Sequence, residues 1–173
     1  ISKLHPNILG ITEAEYLSKH DIEDIRIADY DIITVNTLNN PNLQASRVVI
    51  YKHKSIVSKV RLDLMDDITS SIWLEVGFPN KRRFLLGYFY REWQLLNQAY
   101  KTSSIPEQAN RFDIFLDQWE RALDTGKECH VLGDFNINHL DWTKSDENMS
   151  NQTKRLKRLI DELIKRIFPY GVH

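Results

Sequence analysis

A single cysteine, Cys129, stands among the 173 residues, so no internal disulfide can form. Its neighbours Val131 and Leu132 make a reduced, buried thiol the expected state. A reduced thiol in turn points to an intracellular protein, nuclear or cytoplasmic. Glycine (6) and proline (5) are also scarce, which excludes collagen-like and low-complexity chains. An excess of either charge is missing: 23 Lys and Arg stand against 24 Asp and Glu, a formal net charge of -1. That balance supplies no global electrostatic funnel for nucleic acid, so any such binding must rest on a local basic face or on metal ions. Apolar runs are only a few residues long, and the Ile1-Ser2-Lys3-Leu4-His5-Pro6 start has no basic segment followed by a hydrophobic one. Neither a membrane span nor a secretory signal is expected. His-x-x-x-His, Cys-x-x-Cys, Gly-x-Gly-x-x-Gly and Walker-type spacings do not occur, which argues against zinc and nucleotide cofactors.

With 42% hydrophobic and 27% charged residues, the chain can bury one core and is too short for two ordinary domains. Residues 1–173 are therefore read as one domain. Strand patterns rich in β-branched and aromatic residues run over Asn7 to Ile11, Asp31 to Val35, Arg47 to Tyr51, Ile56 to Leu62, Ile72 to Phe78, Phe84 to Tyr90 and His130 to Phe135. After the first of them, Thr12, Glu13 and Glu15 form a helix-start signature. Turn formers from Gly77 to Lys81 predict a hairpin between two antiparallel strands.

Two helices stand out. In one, Ala109, Phe112, Phe115, Leu116, Trp119 and Leu123 recur at spacings of three and four, between a capping box at Ser104 and Glu107 and a terminating Gly126. The other carries an apolar stripe from Leu156 to Ile167 and basic residues from Lys154 to Arg166, expected to be a solvated outer face. Trp73, Trp93, Trp119 and Trp142 are expected in the core or at its rim. Strands in clusters with helices late in the chain predict two packed sheets covered by helices.

Three strand ends carry chemistry. Val131-Leu132-Gly133-Asp134-Phe135-Asn136 ends an apolar strand in an acid and a carboxamide. Alternation would place Asp134 and Asn136 on one face and Phe135 on the other. A carboxylate can orient or deprotonate water or hold a cation, and an uncharged Asn can donate to a phosphate oxygen without repelling it. Standing alone, an Asp-x-Asn sequence is more often a turn. Leu9-Gly10-Ile11-Thr12-Glu13 delivers a second carboxylate, and hard cations choose such oxygen ligands; the structural alternative is a Glu in the first turn of a helix capped by Thr12. Leu86-Gly87-Tyr88-Phe89-Tyr90-Arg91 ends in groups able to hydrogen-bond and clamp a phosphate, although an aromatic strand end is by itself usually packing.

Taken in order, ILGITE, RVVIYKHK, LLGYFYR and HVLGDFNINHLDW resemble the motifs of the endonuclease/exonuclease/phosphatase superfamily, and most closely its retrotransposon, reverse-transcriptase-associated branch. The resemblance implies an α+β fold, a four-layer αββα sandwich of two mixed sheets flanked by helices. It implies that Glu13 binds a divalent metal (Mg²⁺ or Mn²⁺), that Asp134 orients or activates the attacking water, and that Asn136 and Tyr90 contact the scissile phosphate. Arg91 is implied as a phosphate or DNA-backbone contact. DNA is the implied partner, with a reverse transcriptase in the parent polyprotein; other members of the superfamily act as phosphatases on phosphoinositides or as sphingomyelinases. The oligomeric state is not set by the sequence.

Three departures stand beside the resemblance. No strand with a site Asn precedes Glu13, no Asp-His dipeptide occurs anywhere in the chain, and Glu92 follows Arg91 where the family often has Pro. They lead to the expectation of a domain truncated at both ends, weak or inactive by itself, or a non-catalytic relic of the same fold.

Overall fold

A computed structural model describes residues 5–16, 23–34, 46–66, 68–91, 94–95, 98–102, 105–137 and 145–167. The strands are β1 (Ile8–Tyr16), β2 (Tyr30–Thr34), β3 (Ser46–His53), β4 (Val57–Val60), β5 (Ser70–Gly77), β6 (Phe84–Tyr90), β7 (Gln94–Leu95), β8 (Gln98–Thr102) and β9 (Cys129–Asp134). The long helices are α1 (Ile105–Asp124) and α2 (Asn151–Ile167).

Two sheets form the body. The first is antiparallel, in the order β1-β3-β2; the second runs β4-β5-β6-β9, antiparallel except for the parallel pair β6 and β9. A parallel neighbour needs a crossover connection, and the chain between β6 and β9 contains the β7–β8 hairpin and α1.

The period-two alternation of β5 and β6 explains why the second sheet is covered on both faces. Ile72, Leu74, Val76, Leu86, Tyr88 and Tyr90 face the first sheet, where they meet Val48 and Ile50 of β3. Trp73, Leu85 and Phe89 face the other way and join Phe112, Phe115, Leu116 and Trp119 of α1 and Leu156 and Leu159 of α2. At this second interface Phe89 and Phe115 stack with centroids 3.8 Å apart. Each of these fully buried side chains contributes roughly 1.5–3 kcal/mol by leaving water. The predicted α+β sandwich of two sheets with helices is observed. Among the described residues both long helices lie against the second sheet, giving β–β–α layering.

Several predicted elements change at their ends. The first strand does not give way to a helix at Thr12 but continues to Tyr16 through an irregularity in its pairing with β3. The hairpin lies where the turn formers placed it, with Lys81 N donating to the Phe78 carbonyl and Ser70 paired with Tyr90. The β7–β8 pair was not anticipated, because strands of two and five residues leave too short a pattern to read. Ser104 of the expected capping box, Val35, Trp93 and Trp142 lie outside the described residues; Trp73 and Trp119 are buried as expected, and Cys129 is a buried free thiol.

The basic side of α2 faces solvent as expected, with Lys154 and Arg158 exposed and Arg155 and Lys157 half-buried, and it is also paired with α1. Arg155 of α2 donates to Glu120 at 2.8 and 3.0 Å and forms an ion pair with Asp117, both on α1, and Arg158 reaches Glu120 at 2.6 Å. Sequence pattern placed those cations on the polar side of the helix, but the acidic flank of α1 supplies their partners.

Candidate active site

The site forms where β1, β6 and β9 end together. In the parallel pair, Tyr90 stands opposite Asp134, and the Arg91 N–H donates to the Asp134 carbonyl at 2.9 Å. This close register depends on Gly133, whose φ is +145°, a region that side chains rarely adopt. A Cβ at that position would fall 1.8 Å from the Phe89 carbonyl oxygen. Glycine before Asp134 is thus a steric requirement of the β6–β9 contact.

Beyond Asp134 the chain leaves the strand. Asn136 takes a left-handed backbone (φ +47°), and its N–H donates to Asp134 Oδ1 at 2.8 Å. The predicted strand alternation therefore does not extend to Asn136. Instead the Asp-x-Asn turn and the candidate site coexist, because the turn itself fixes the carboxylate. Phe135 does point to the helical side, as expected, and packs against Phe89 with centroids 5.8 Å apart. Asn136 Nδ2 donates to the Arg91 carbonyl at 2.8 Å, tying the end of β9 to the end of β6. A carboxamide nitrogen carries two N–H donors, of which this bond uses one.

Glu13 reaches the same place from the other sheet. Ile8 packs between the sheets and Gly10 lies under the Tyr88 ring, so simple alternation would turn Glu13 outward. The pairing irregularity that begins after Thr12, with φ +56° at Glu13, breaks that alternation. Bulges commonly re-aim a side chain beside a functional site. Here the result is a hydrogen bond of 2.8 Å from the Tyr90 hydroxyl to Glu13 Oε1. A left-handed backbone at a glutamate costs of order 1–3 kcal/mol and persists only where surrounding contacts over-determine it.

Arg91 is placed differently from its neighbours. Its guanidinium carbon lies 4.8 Å from the centroid of the Phe112 ring, on the helical face of the second sheet. Tyr90 faces the first sheet, and strand alternation sends the next side chain the opposite way. Arg91 therefore joins the site through its backbone N–H and carbonyl. Of the five residues singled out from sequence, Glu13 and Tyr90 touch, Asp134 and Asn136 are bonded to each other, and the Arg91 side chain packs elsewhere.

Gly10 and Tyr88 were not singled out from the sequence. Both contribute to the approach of β1, and burial raises the pKa of the Tyr88 phenol, opposed by a hydrogen bond with the Gly10 backbone. A glycine inside an apolar strand was the available signal, since it marks close backbone approach.

The donor set suits a hard divalent cation. Glu13 and Asp134 offer carboxylate oxygens from two strands that approach each other, with no thiolate or imidazole in the set. Among the described residues no cluster of three or more His, Cys, Asp or Glu side chains forms. Mg²⁺ fits such a sparse donor set, because it keeps several waters and takes one or two carboxylates together with substrate phosphate. Glu13 is the residue that would hold it.

No curated protein matches the chain. A family model, the Endonuclease/Exonuclease/phosphatase family, matches residues 1–154. With its two-sheet sandwich and this match over most of its length, the chain belongs to the endonuclease/exonuclease/phosphatase family.

Proposed function

We propose that this chain is a Mg²⁺-dependent (or Mn²⁺-dependent) DNA endonuclease of the retrotransposon type, nicking target DNA so that a reverse transcriptase primes from the break. The observation that carries the reading is the meeting of Glu13 and Tyr90 at 2.8 Å above a strand pair that aligns Tyr90 with Asp134. Family membership supports hydrolysis of a phosphate ester, and the retrotransposon-type order of the four motifs supports DNA as the substrate.

In this reaction Asp134 accepts a proton from water as the water oxygen attacks phosphorus. Its Asx turn to Asn136 holds the carboxylate in one orientation, so little reorganisation is needed as charge develops. The second N–H of Asn136 is a donor suited to the phosphate oxygens, where negative charge accumulates, and the Tyr90 hydroxyl, whose one proton bonds Glu13 in the resting site, becomes a second donor on turning to the phosphate. The phosphorus–oxygen bond to the leaving group breaks, and that oxygen takes up a proton from solvent. A divalent cation, when bound by Glu13, supplies electrostatic stabilisation of the phosphate and the leaving oxygen.

The test is conversion of supercoiled plasmid to the nicked circle in Mg²⁺, beside phosphoinositide and sphingomyelin hydrolysis. Nicking that disappears in Asp134→Ala supports the endonuclease. Hydrolysis of a lipid substrate without nicking overturns the DNA reading in favour of another hydrolase of the family. Turnover of none of the three substrates by the folded protein overturns the enzymatic reading.

A further inference from the structure

Strand β1 crosses the second sheet at Gly10, where a Cβ would lie 1.9, 2.3 and 2.5 Å from Cε1, Cδ1 and Cζ of Tyr88. The ring occupies the space a side chain would take. Tyr88 is only 7% exposed and shares its face of β6 with Tyr90. On β1, Gly10 precedes Glu13 by three residues. This contact is the point of closest approach on β1 to the strand end that bears Tyr90, with Asp134 alongside.

Face-to-face sheets ordinarily stand about 10 Å apart with side chains from both sides between them. At Gly10 only one side chain intervenes, so the backbone of β1 rests directly on the ring. The Glu13–Tyr90 hydrogen bond, at 2.8 Å, tolerates only a few tenths of an ångström before it lengthens out of the range of good geometry. A change in the spacer is carried as far as Thr12, the residue before Glu13, because β1 pairs in regular register with β3 from Ile8 to Thr12.

We propose that Tyr88 seated on Gly10 is a positioning pair that fixes the separation of Glu13 from the Tyr90 and Asp134 strand ends, and thereby the affinity of the site for a divalent cation. The proposal rests on Glu13 as the cation ligand in the reading above. Neither residue touches the cation or the phosphate; both act through Glu13.

The experiment measures Mn²⁺ binding by titration calorimetry and the ¹³Cζ chemical shift of Tyr90 by NMR, in the whole chain and in Glu13→Ala, Gly10→Ala, Tyr88→Leu and Tyr88→Phe. Outer residues that orient a metal ligand typically change metal affinity by about 10- to 100-fold. Gly10→Ala is expected to weaken Mn²⁺ binding by at least about tenfold and to move the Tyr90 signal in the metal-free protein. Tyr88→Phe keeps the ring and is expected to keep wild-type affinity, whereas Tyr88→Leu removes the ring and is expected to weaken binding as Gly10→Ala does. Should Gly10→Ala fail to fold, Tyr88→Leu decides: unchanged Mn²⁺ affinity together with an unchanged Tyr90 signal overturns the proposal. A merely structural role lowers the melting temperature and leaves both readouts of the folded protein where they were. Wild-type affinity in Glu13→Ala defeats the ligand assignment itself, whereas lost binding there with wild-type affinity in the other variants defeats only the positioning pair.

Discussion

Tyr90 and Glu13, 77 positions apart in the chain, are joined by a 2.8 Å hydrogen bond that links the two sheets at their shared end. Its acceptor is aimed by a left-handed backbone at Glu13, and its donor stands beside Asp134. Removing the hydroxyl tests whether this bond serves catalysis more than folding. In Tyr90→Phe, stability to urea is expected to fall by only about 1 kcal/mol, the net worth of one hydrogen bond. The kcat for plasmid nicking is expected to fall by about 10²-fold or more, as for loss of a donor to a developing oxyanion. A large loss of stability with kcat preserved would assign the hydroxyl to the fold.

Gly133→Ala is expected to destabilise the protein by about 3 kcal/mol or more, because it combines a strained φ with overlap on the Phe89 carbonyl. Nicking should fall with it even though Asp134 is retained, since the two strand ends can no longer align. Urea denaturation beside the nicking assay checks both, and near-wild-type stability would show that β6 and β9 tolerate separation.

Arg91→Ala is expected to act through packing. The guanidinium covers the Phe112 ring, and exposed-to-partly-buried cation–π contacts contribute about 0.5–1 kcal/mol or somewhat more. Thermal stability should drop modestly and kcat/KM should stay within a few-fold of wild type. A drop in kcat/KM of two orders of magnitude at full stability would instead assign the side chain to the substrate.

Gln118 of α1 is fully buried and gathers polar groups from the segment leading into β5. Its Oε1 accepts from Ser71 Oγ at 2.7 Å and Trp73 Nε1 at 3.0 Å, while its Nε2 donates to Thr69 Oγ1 at 2.8 Å and to the Asp66 carboxylate. Gln118→Leu leaves buried donors without an acceptor, and a loss of about 2–4 kcal/mol is expected in urea denaturation. A loss below about 1 kcal/mol would mean that the network re-forms around the leucine.

Acid should unfold the protein partly through Glu75. The ammonium of Lys127, 2.8 Å away, and then Arg61 hold this nearly buried carboxyl below the usual carboxylate range. A lowered folded pKa means that its contribution is fully present above the unfolded value, about pH 4.3 for glutamate, and is lost as pH falls through the folded value. Urea midpoints of wild type and Glu75→Gln should differ at neutral pH and converge in acid below the usual glutamate range. A gap that persists unchanged into acid would remove Glu75 from the account.

Much of this was legible from residue order. The alternation of Ile72, Leu74 and Val76 gave β5 its two faces, and the three-and-four spacing of Phe112, Phe115 and Trp119 placed α1 on a sheet, because local periodicity and burial are coupled in regular elements. The strand ends carrying Glu13, Tyr90 and Asp134 could also be read, since an apolar run that stops at a polar group is a local signal. What failed were the helix start expected at Thr12 and the strand alternation extended to Asn136, both at irregular residues. Glu13 and Asn136 both adopt positive φ, and at such residues the face of the next side chain is set by contacts distant in sequence.

By itself, then, the sequence determined the strands of the two main sheets, the two long helices, the two apolar faces of the second sheet and the set of polar residues at three strand ends, all of which depend on spacing along the chain. Tertiary structure alone decided which of those residues meet. The approach of β1 over Tyr88, the bulge that turns Glu13 toward Tyr90, the Phe112 ring that draws Arg91 to the other face and the α1 acids that capture Arg155 arise from packing between segments tens of residues apart. Spacing along one element carries no record of what stands across from it, and that is the physical reason the site was visible in parts but assembled only in the fold.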